Sequence, residues 1–258
     1  MAKKGIWFQS EASLCAAFIE AACKDGKWVA YPETQGWDIL LVRKADGAQI
    51  GIQAKMALNA KVVSQCLPDW MREASTGPDF RAVLVPAGAN TDLALACDLV
   101  GLAVIVQRKP DTKFSTVFSP PLPEPGDEGY WYTRTWHPWA PNSRLKLPEY
   151  VPDVAAGVAA PQTLSGWKIS AIKMQIILED RPVTRADFKA LGMSPTRWLD
   201  RHFGWLVMTP QGWVRGDRMP DFSAQHPRNY AEIKADRAKW EPAPVPLAVN
   251  TAILEPAP

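Results

Sequence analysis

Two rhythms of apolar and polar positions run through the first 109 residues. In "SEASLCAAFIEAACKDG", Leu14, Phe18, Ala21 and Ala22 recur at helical intervals, which predicts a helix opening on Ser10 and stopping at Gly26. "KWVAYP" reads as a short strand. "DILLVRK" and "AQIGIQAK" are apolar runs on either side of Asp46-Gly47, a two-residue hairpin signal. "ALNAKVVSQCL" reads as a helix up to Pro68, "RAVLVPA" as a strand, and "NTDLALACDLVG" as a helix between a capping residue and a glycine. "LAVIVQR" is apolar throughout, as in a strand buried on both faces. The order α-β-β-β-α-β-α-β predicts an α/β domain, a mixed central sheet flanked by helices, over residues 1–118.

The pattern then changes twice. Residues 119–165 are rich in proline, with Trp131, Trp136 and Trp139 among them. A disordered linker does not usually hold three tryptophans. The expectation is a connector packed on a neighbour, with stacking on nucleic-acid bases as the alternative. From residue 166, "GWKISAIKMQIILED" is an amphipathic helix, and "TRADFKAL" is a helix capped by Thr184 and ended by Gly192. "SPTRWLDRHF" is a third helix, with Ser194 as N-cap and Pro195 in its first position. "GWLVMTPQGWVRGD" then turns at Pro210-Gln211-Gly212. Three helices and a hairpin are the order of a winged helix-turn-helix, a small α+β domain. "HPRNYAEIKADRAKW" adds a helix that closes this domain near residue 240, and 241–258 form a proline-rich tail expected to be mobile.

Composition narrows the options. The chain has 258 residues, 47% apolar and 22% charged, so it should fold. Residues 1–109 carry 12 Lys/Arg against 11 Asp/Glu, whereas 166–218 carry 9 against 5, so the second segment is the better polyanion contact. Cys15, Cys23, Cys66 and Cys97 form no C-x-x-C pair and sit in apolar, helix-like contexts, as reduced core cysteines do. The start "MAKKGIWFQSEA" has no apolar run after its lysines, and no window approaches a membrane span. A cytoplasmic protein without membrane contact is expected. The three histidines stand in neither H-E-x-x-H nor H-N-H spacing, and G-x-x-x-x-G-K-[ST] and G-x-S-x-G do not occur.

Polar groups at the open end of the hairpin carry the candidate chemistry. With Asp46-Gly47 alone as the loop, Asp38 faces Lys55, and Gln53 and Lys55, two apart, share a face. The Asp38 carboxylate, the Gln53 carbonyl, the Ala54 backbone carbonyl and the Lys55 ammonium then converge. Hard oxygens beside a cation suit Mg²⁺ or Mn²⁺ and the hydrolysis of a phosphodiester.

D-x(14)-Q-x-K on a hairpin, a glutamate in the preceding helix and an α-β-β-β-α-β order resemble the PD-(D/E)XK nuclease superfamily, whose fold is the restriction-endonuclease-like sheet. Glutamine in place of the usual acid is similar to the variant in Mrr-type restriction endonucleases. The resemblance covers roughly residues 5–109. It implies Asp38 as metal ligand, Gln53 as second site group, Lys55 as catalytic lysine and Glu11 as an additional acid, with Glu33 as its rival. Gln65 matches a polar position in the following helix. The neutral Gln53 implies weaker metal binding than an acid would give.

In the winged-helix reading, Thr196, Arg197 and Arg201 reach base edges from the third helix. Arg215 and Arg218 meet phosphates from the wing, and Trp198, Leu199, Trp205 and Trp213 hold helix to wing. The expected protein is a Mg²⁺- or Mn²⁺-dependent DNA endonuclease of bacterial or phage restriction or DNA processing, acting as a homodimer. The alternative is a catalytically silent relative that binds DNA or a protein through the winged helix. RNA processing is a third reading.

Overall fold

The computed structural model describes residues 7–67, 76–109, 117–126, 135–158 and 163–241. Trp131 and the tail beyond residue 241 lie outside them. The chain divides into two compact units: residues up to 169 with 221–229, and residues 170–220 with those from 230 onward. The boundary thus falls inside a helix, and a short later segment belongs to the first unit.

The first unit follows the predicted order. Helix α1 (Glu11–Ala22) opens on Ser10, whose hydroxyl accepts from the Ser13 N–H while the Ser13 hydroxyl accepts from that of Ser10. Strands β1 (Trp28–Thr34), β2 (Trp37–Arg43) and β3 (Gln49–Ala54) form an antiparallel meander. Helix α2 (Ala60–Cys66), capped by Asn59, carries the chain across to β4 (Phe80–Pro86), and α3 (Ala94–Leu99) carries it to β5 (Ala103–Gln107). These crossovers make β3–β4 and β4–β5 parallel. A two-residue β6 (Phe118–Ser119) completes a six-stranded sheet in chain order.

The hairpin register differs from the expected one. Ile39 pairs with Ile52 and Leu41 with Ile50, so the continuation of the ladder sets Asp38 opposite Gln53, not Lys55. The loop has four residues, closed by Arg43 N–H to the Ala48 carbonyl at 2.8 Å. A two-residue Asp-Gly turn needs positive φ at both positions, yet here only Gly47 (φ 71°) adopts it. Asp46 instead accepts two bonds from the Arg43 guanidinium, at 2.9 and 2.6 Å, which hold its carboxyl down to about 2. A slip of two residues leaves every side chain of the pair on its original face.

Two apolar clusters sandwich the sheet. Leu14, Cys15 and Phe18 of α1 lie on Ile39, Leu41, Ile50, Ile52 and Leu84. On the opposite face Leu40, Val62, Cys66, Val83, Val85, Cys97 and Leu102 gather. Trp136 joins the first cluster and donates its indole N–H to the Pro121 carbonyl at 2.8 Å, while Trp139 packs on the second and donates to Gly101 at 3.0 Å. All four cysteines are free thiols. Gly51 is required by contact, because a Cβ there would stand 2.4 Å from the Trp37 ring.

The second unit is built on α4 (Gly166–Asp180), which enters it at residue 170, on α5 (Arg185–Ala190) and on the hairpin of β7 (Leu206–Thr209) and β8 (Gly212–Arg215). The short α6 (Phe222–Gln225) belongs to the first unit. Helix α7 (Pro227–Ala235) starts there and ends in the second unit, followed by α8 (Arg237–Trp240). The predicted third helix is absent: residues 194–205 form successive turns. Asp200 spends its carboxylate on the N–H groups of His202 and Phe203, at 2.8 and 2.6 Å. The Trp198 carbonyl accepts from Trp205 and Leu206, so the chain doubles back at Gly204 instead of continuing a helical ladder. Trp198 is buried edge-on to Phe188 and Trp205, with centroids 5.9 and 5.1 Å away. No helix among the described residues is long and apolar enough to cross a membrane.

Gly51→Ala should lower stability by about 1–3 kcal/mol through overpacking against Trp37. Gly166→Ala, where an added Cβ meets nothing within 4 Å, should stay within about 0.5 kcal/mol of the parent. Urea unfolding of the two variants checks this.

Candidate functional site

The site lies where β2 and β3 meet at one end of the sheet. The main-chain pairs of β2 with β3 stop at Ile39 and Ile52. Beyond them, the Asp38 Oδ2 accepts the Ala54 N–H at 2.7 Å, so a side-chain carboxylate stands where a backbone carbonyl would continue the ladder. Lys55 is the first residue past β3. Its own N–H donates to the Leu84 carbonyl at 2.9 Å, which extends the parallel ladder and fixes its backbone.

The Lys55 ammonium reaches to α1, 2.6 Å from Glu11 Oε2. Glu11 is the first residue after the Ser10 cap, so the two-way Ser10–Ser13 cap also sets the position of this acid. Glu33 approaches from the end of β1, in a left-handed conformation (φ 48°) unusual for a glutamate. Its Oε1 accepts the Gly157 N–H at 2.7 Å, from a segment 124 residues further along. Beneath lies Cys15, fully buried, whose thiol is pushed up by burial and then by the charges of Asp38, Glu33 and Glu11. It is an inert core thiol that marks the centre of the cluster.

Electrostatics are lopsided. Burial raises the Asp38 pKa and Glu11 adds to the rise, against the Ala54 N–H and Lys55. Burial also raises that of Glu33, with Asp38 contributing, against the Gly157 N–H. For Lys55, burial works against the charge, but the bond to Glu11 and the charges of Glu11 and Asp38 outweigh it, so its pKa rises. One ammonium thus faces three partly buried carboxylates, an excess of negative charge that a bound cation would offset. Among the described residues no three His, Cys, Asp or Glu side chains converge as a ready-made metal cage. A divalent ion here would take Asp38, one further carboxylate and a backbone carbonyl such as that of Ala54, and fill its shell with water and substrate oxygens. That donor set fits Mg²⁺, which keeps several waters and needs one or two carboxylates.

Gln53 is placed differently from expectation. It pairs with Val83 of the second cluster, on the face away from Ile52 and Ala54, and its Nε2 donates to the Gly36 carbonyl at 2.7 Å. Gln53 and Lys55 do not share a face, because Lys55 lies past the strand end and turns to α1. The side chain of Gln53 anchors the β1–β2 turn two residues before Asp38. Gln65 is also on that second face, lining a cavity of about 380 Å³ with Gly36, Trp37 and Arg81, away from the Lys55–Glu11 pair. The amide of Gly157 escaped the sequence reading, since nothing local to it signals a partner so remote in sequence.

The five nucleic-acid candidates all fall in the second unit, on turns and hairpin and not on one helix. Thr196 shares a hydroxyl bond with Ser194 at 3.1 Å, and the Arg197 guanidinium lies 4.8 Å over the Trp205 ring. Arg201 and Arg215 are exposed. Arg218 donates to the His202 carbonyl and lies 5.7 Å over the Phe203 ring.

No family model matches this chain, and neither a curated protein nor a solved structure matches it.

Asp38→Asn keeps an oxygen for the Ala54 N–H and removes the charge. A carboxylate whose pKa is raised on folding opposes folding once ionised, and this cost vanishes below its unfolded pKa of about 3.9. The variant should therefore unfold at a higher temperature than the parent at neutral pH. The advantage should shrink through mildly acidic pH and disappear near pH 3, as followed by thermal unfolding across that range.

Proposed function

We propose that the chain is a metal-dependent nuclease of the PD-(D/E)XK type, hydrolysing phosphodiester bonds of DNA, with its second unit holding the nucleic acid. The observation that carries this reading is the meeting of Asp38, Glu11 and Lys55 at the end of β2 and β3, in a sheet with the order α1-β1-β2-β3-α2-β4 and β3 parallel to β4. A stiff apolar meander that ends in an unbalanced carboxylate cluster beside a lysine is an expensive arrangement for a purely structural edge.

Asp38 and the Ala54 carbonyl, with Glu11 or Glu33, would hold Mg²⁺ or Mn²⁺. When bound, the ion supplies Lewis acidity to the phosphoryl oxygen and acidifies a water. Lys55 acts as a cation, because its raised pKa keeps it protonated at neutral pH. It draws the phosphate and orients water, while proton abstraction falls to a carboxylate. Gln53 acts at one remove, holding Gly36 and so the turn that presents Asp38. Bacterial or phage DNA processing suits such an enzyme, and a homodimer would cut both strands.

A second reading is a silent scaffold of the same type. What favours it is the 2.6 Å Lys55–Glu11 pair, by which the protein's own cation already neutralises an acid of the site, together with the uncharged Gln53.

Supercoiled plasmid incubated with Mg²⁺ or Mn²⁺ separates the two. Metal-dependent nicking should fall by at least about 100-fold in both Asp38→Ala and Lys55→Ala, the scale expected for removing a preorganised charged group. No cutting by the parent in either metal, or cutting unchanged in Asp38→Ala, would overturn the nuclease reading.

A further inference from the structure

In the second unit the stretch expected to be a recognition helix, residues 194–205, runs as turns, and it adjoins an unusual exposed surface. Phe203 is 76% exposed, Met208 76% and Val207 56%. Val207 and Met208 are consecutive on β7, and Phe203 lies on the turn that leads into it. A Cβ on Gly216 would meet Val207 Cγ2 at 3.2 Å, and Leu206 pairs with Arg215, which places this apolar edge beside the 215–218 segment. Arg218 from that segment covers one face of Phe203. Arg201 and Arg215 are exposed on the same turns and strand end.

Phe203 is held out by construction. Asp200 accepts its N–H and that of His202, and Arg218 donates to the His202 carbonyl. Those backbone N–H groups, His202's after Phe203's, hold the Asp200 carboxyl below its ordinary range and fix the turn that carries Phe203. A ring fixed outward, backed by a guanidinium and flanked by further arginines, presents an apolar face and positive charge side by side.

We infer that this surface grips unpaired DNA, with a base stacked on Phe203 and phosphates met by Arg201, Arg215 and Arg218. The inference rests on the nuclease reading and narrows its substrate to DNA with single-stranded segments. In a duplex the base faces are covered by their neighbours and only edges and phosphates are offered, whereas a single strand offers a free ring face beside each phosphate. The outward groups of β7, Val207 and Met208, carry no donor to read a base edge. The complementarity is therefore to a strand whose bases are free.

The test uses the full chain carrying Asp38→Asn, in EDTA, with fluorescence anisotropy of a labelled oligo-dT strand and of a blunt duplex of equal length. The strand should bind at least about tenfold more tightly than the duplex. Phe203→Ala should weaken strand binding by about tenfold, within the range for losing one stacked base, and leave duplex binding unchanged, while Phe203→Trp should retain it. Arg218→Gln should reduce the dependence of strand affinity on log salt by about 0.7. Phe203 is exposed, so its replacement leaves the buried core intact, and circular dichroism checks the fold.

Equal or tighter duplex binding, or strand binding indifferent to Phe203→Ala, overturns the inference. So does a chain that binds neither DNA but self-associates through Phe203, as read by sedimentation. Metal-dependent plasmid cutting without strand preference defeats this inference alone. Strand preference without cutting sustains it and defeats the catalytic reading alone.

Discussion

The hydrogen bond from the Ala54 N–H to the Asp38 carboxylate is the constraint on which the site depends. It ends one ladder of the sheet on a charged side chain and forces that charge to stay partly buried. The burial raises the pKa of Asp38, and the same crowding draws Lys55 toward the acids. A carboxylate held in this way cannot relax into solvent without breaking a main-chain bond. Negative charge that cannot relax is available to a cation.

Around that bond the structure supplies stiffness from both sides. Ile39, Ile50 and Ile52 fill one face and Leu40 and Val83 the other, all fully buried. Gly51 lets the Trp37 ring lie directly on the strand, and Gln53 ties the preceding turn from the opposite face. Glu11 comes from a capped helix start and Glu33 from a strand end latched by a remote amide. Four acids and bases from four elements meet because each element is fixed independently. In the second unit the logic is reversed: Asp200 is satisfied locally, and what it positions is an exposed ring.

Much of this was legible in the sequence. The alternating order of elements in the first unit is written in apolar periodicity and in the cap at Ser10, and those signals are local. Asp38 and Lys55 could be named because strand ends follow from the same pattern, and Glu11 from the resemblance to the nuclease superfamily. The loop register could not, because Asp46-Gly47 is a good two-residue turn until Arg43 claims the Asp46 carboxylate, a contact set by side-chain geometry. The face of Gln53 was misjudged because alternation was carried one residue past the end of β3. The third helix of the second unit was expected from Ser194 as a cap and Pro195 in the first helical position. Asp200 and Gly204 turn the chain instead, and the burial of Trp198 between Phe188 and Trp205 rewards that path more than a helix would.

The central question is whether the excess negative charge at Asp38 holds a metal ion. Titration of Mn²⁺ into the parent and Asp38→Ala, followed by water-proton relaxation, addresses that directly. One Mn²⁺ should bind per chain, be displaced by Mg²⁺, weaken as pH falls through the raised carboxylate range and be lost in Asp38→Ala. Absence of binding in the parent, or binding that Asp38→Ala leaves unchanged, would contradict it.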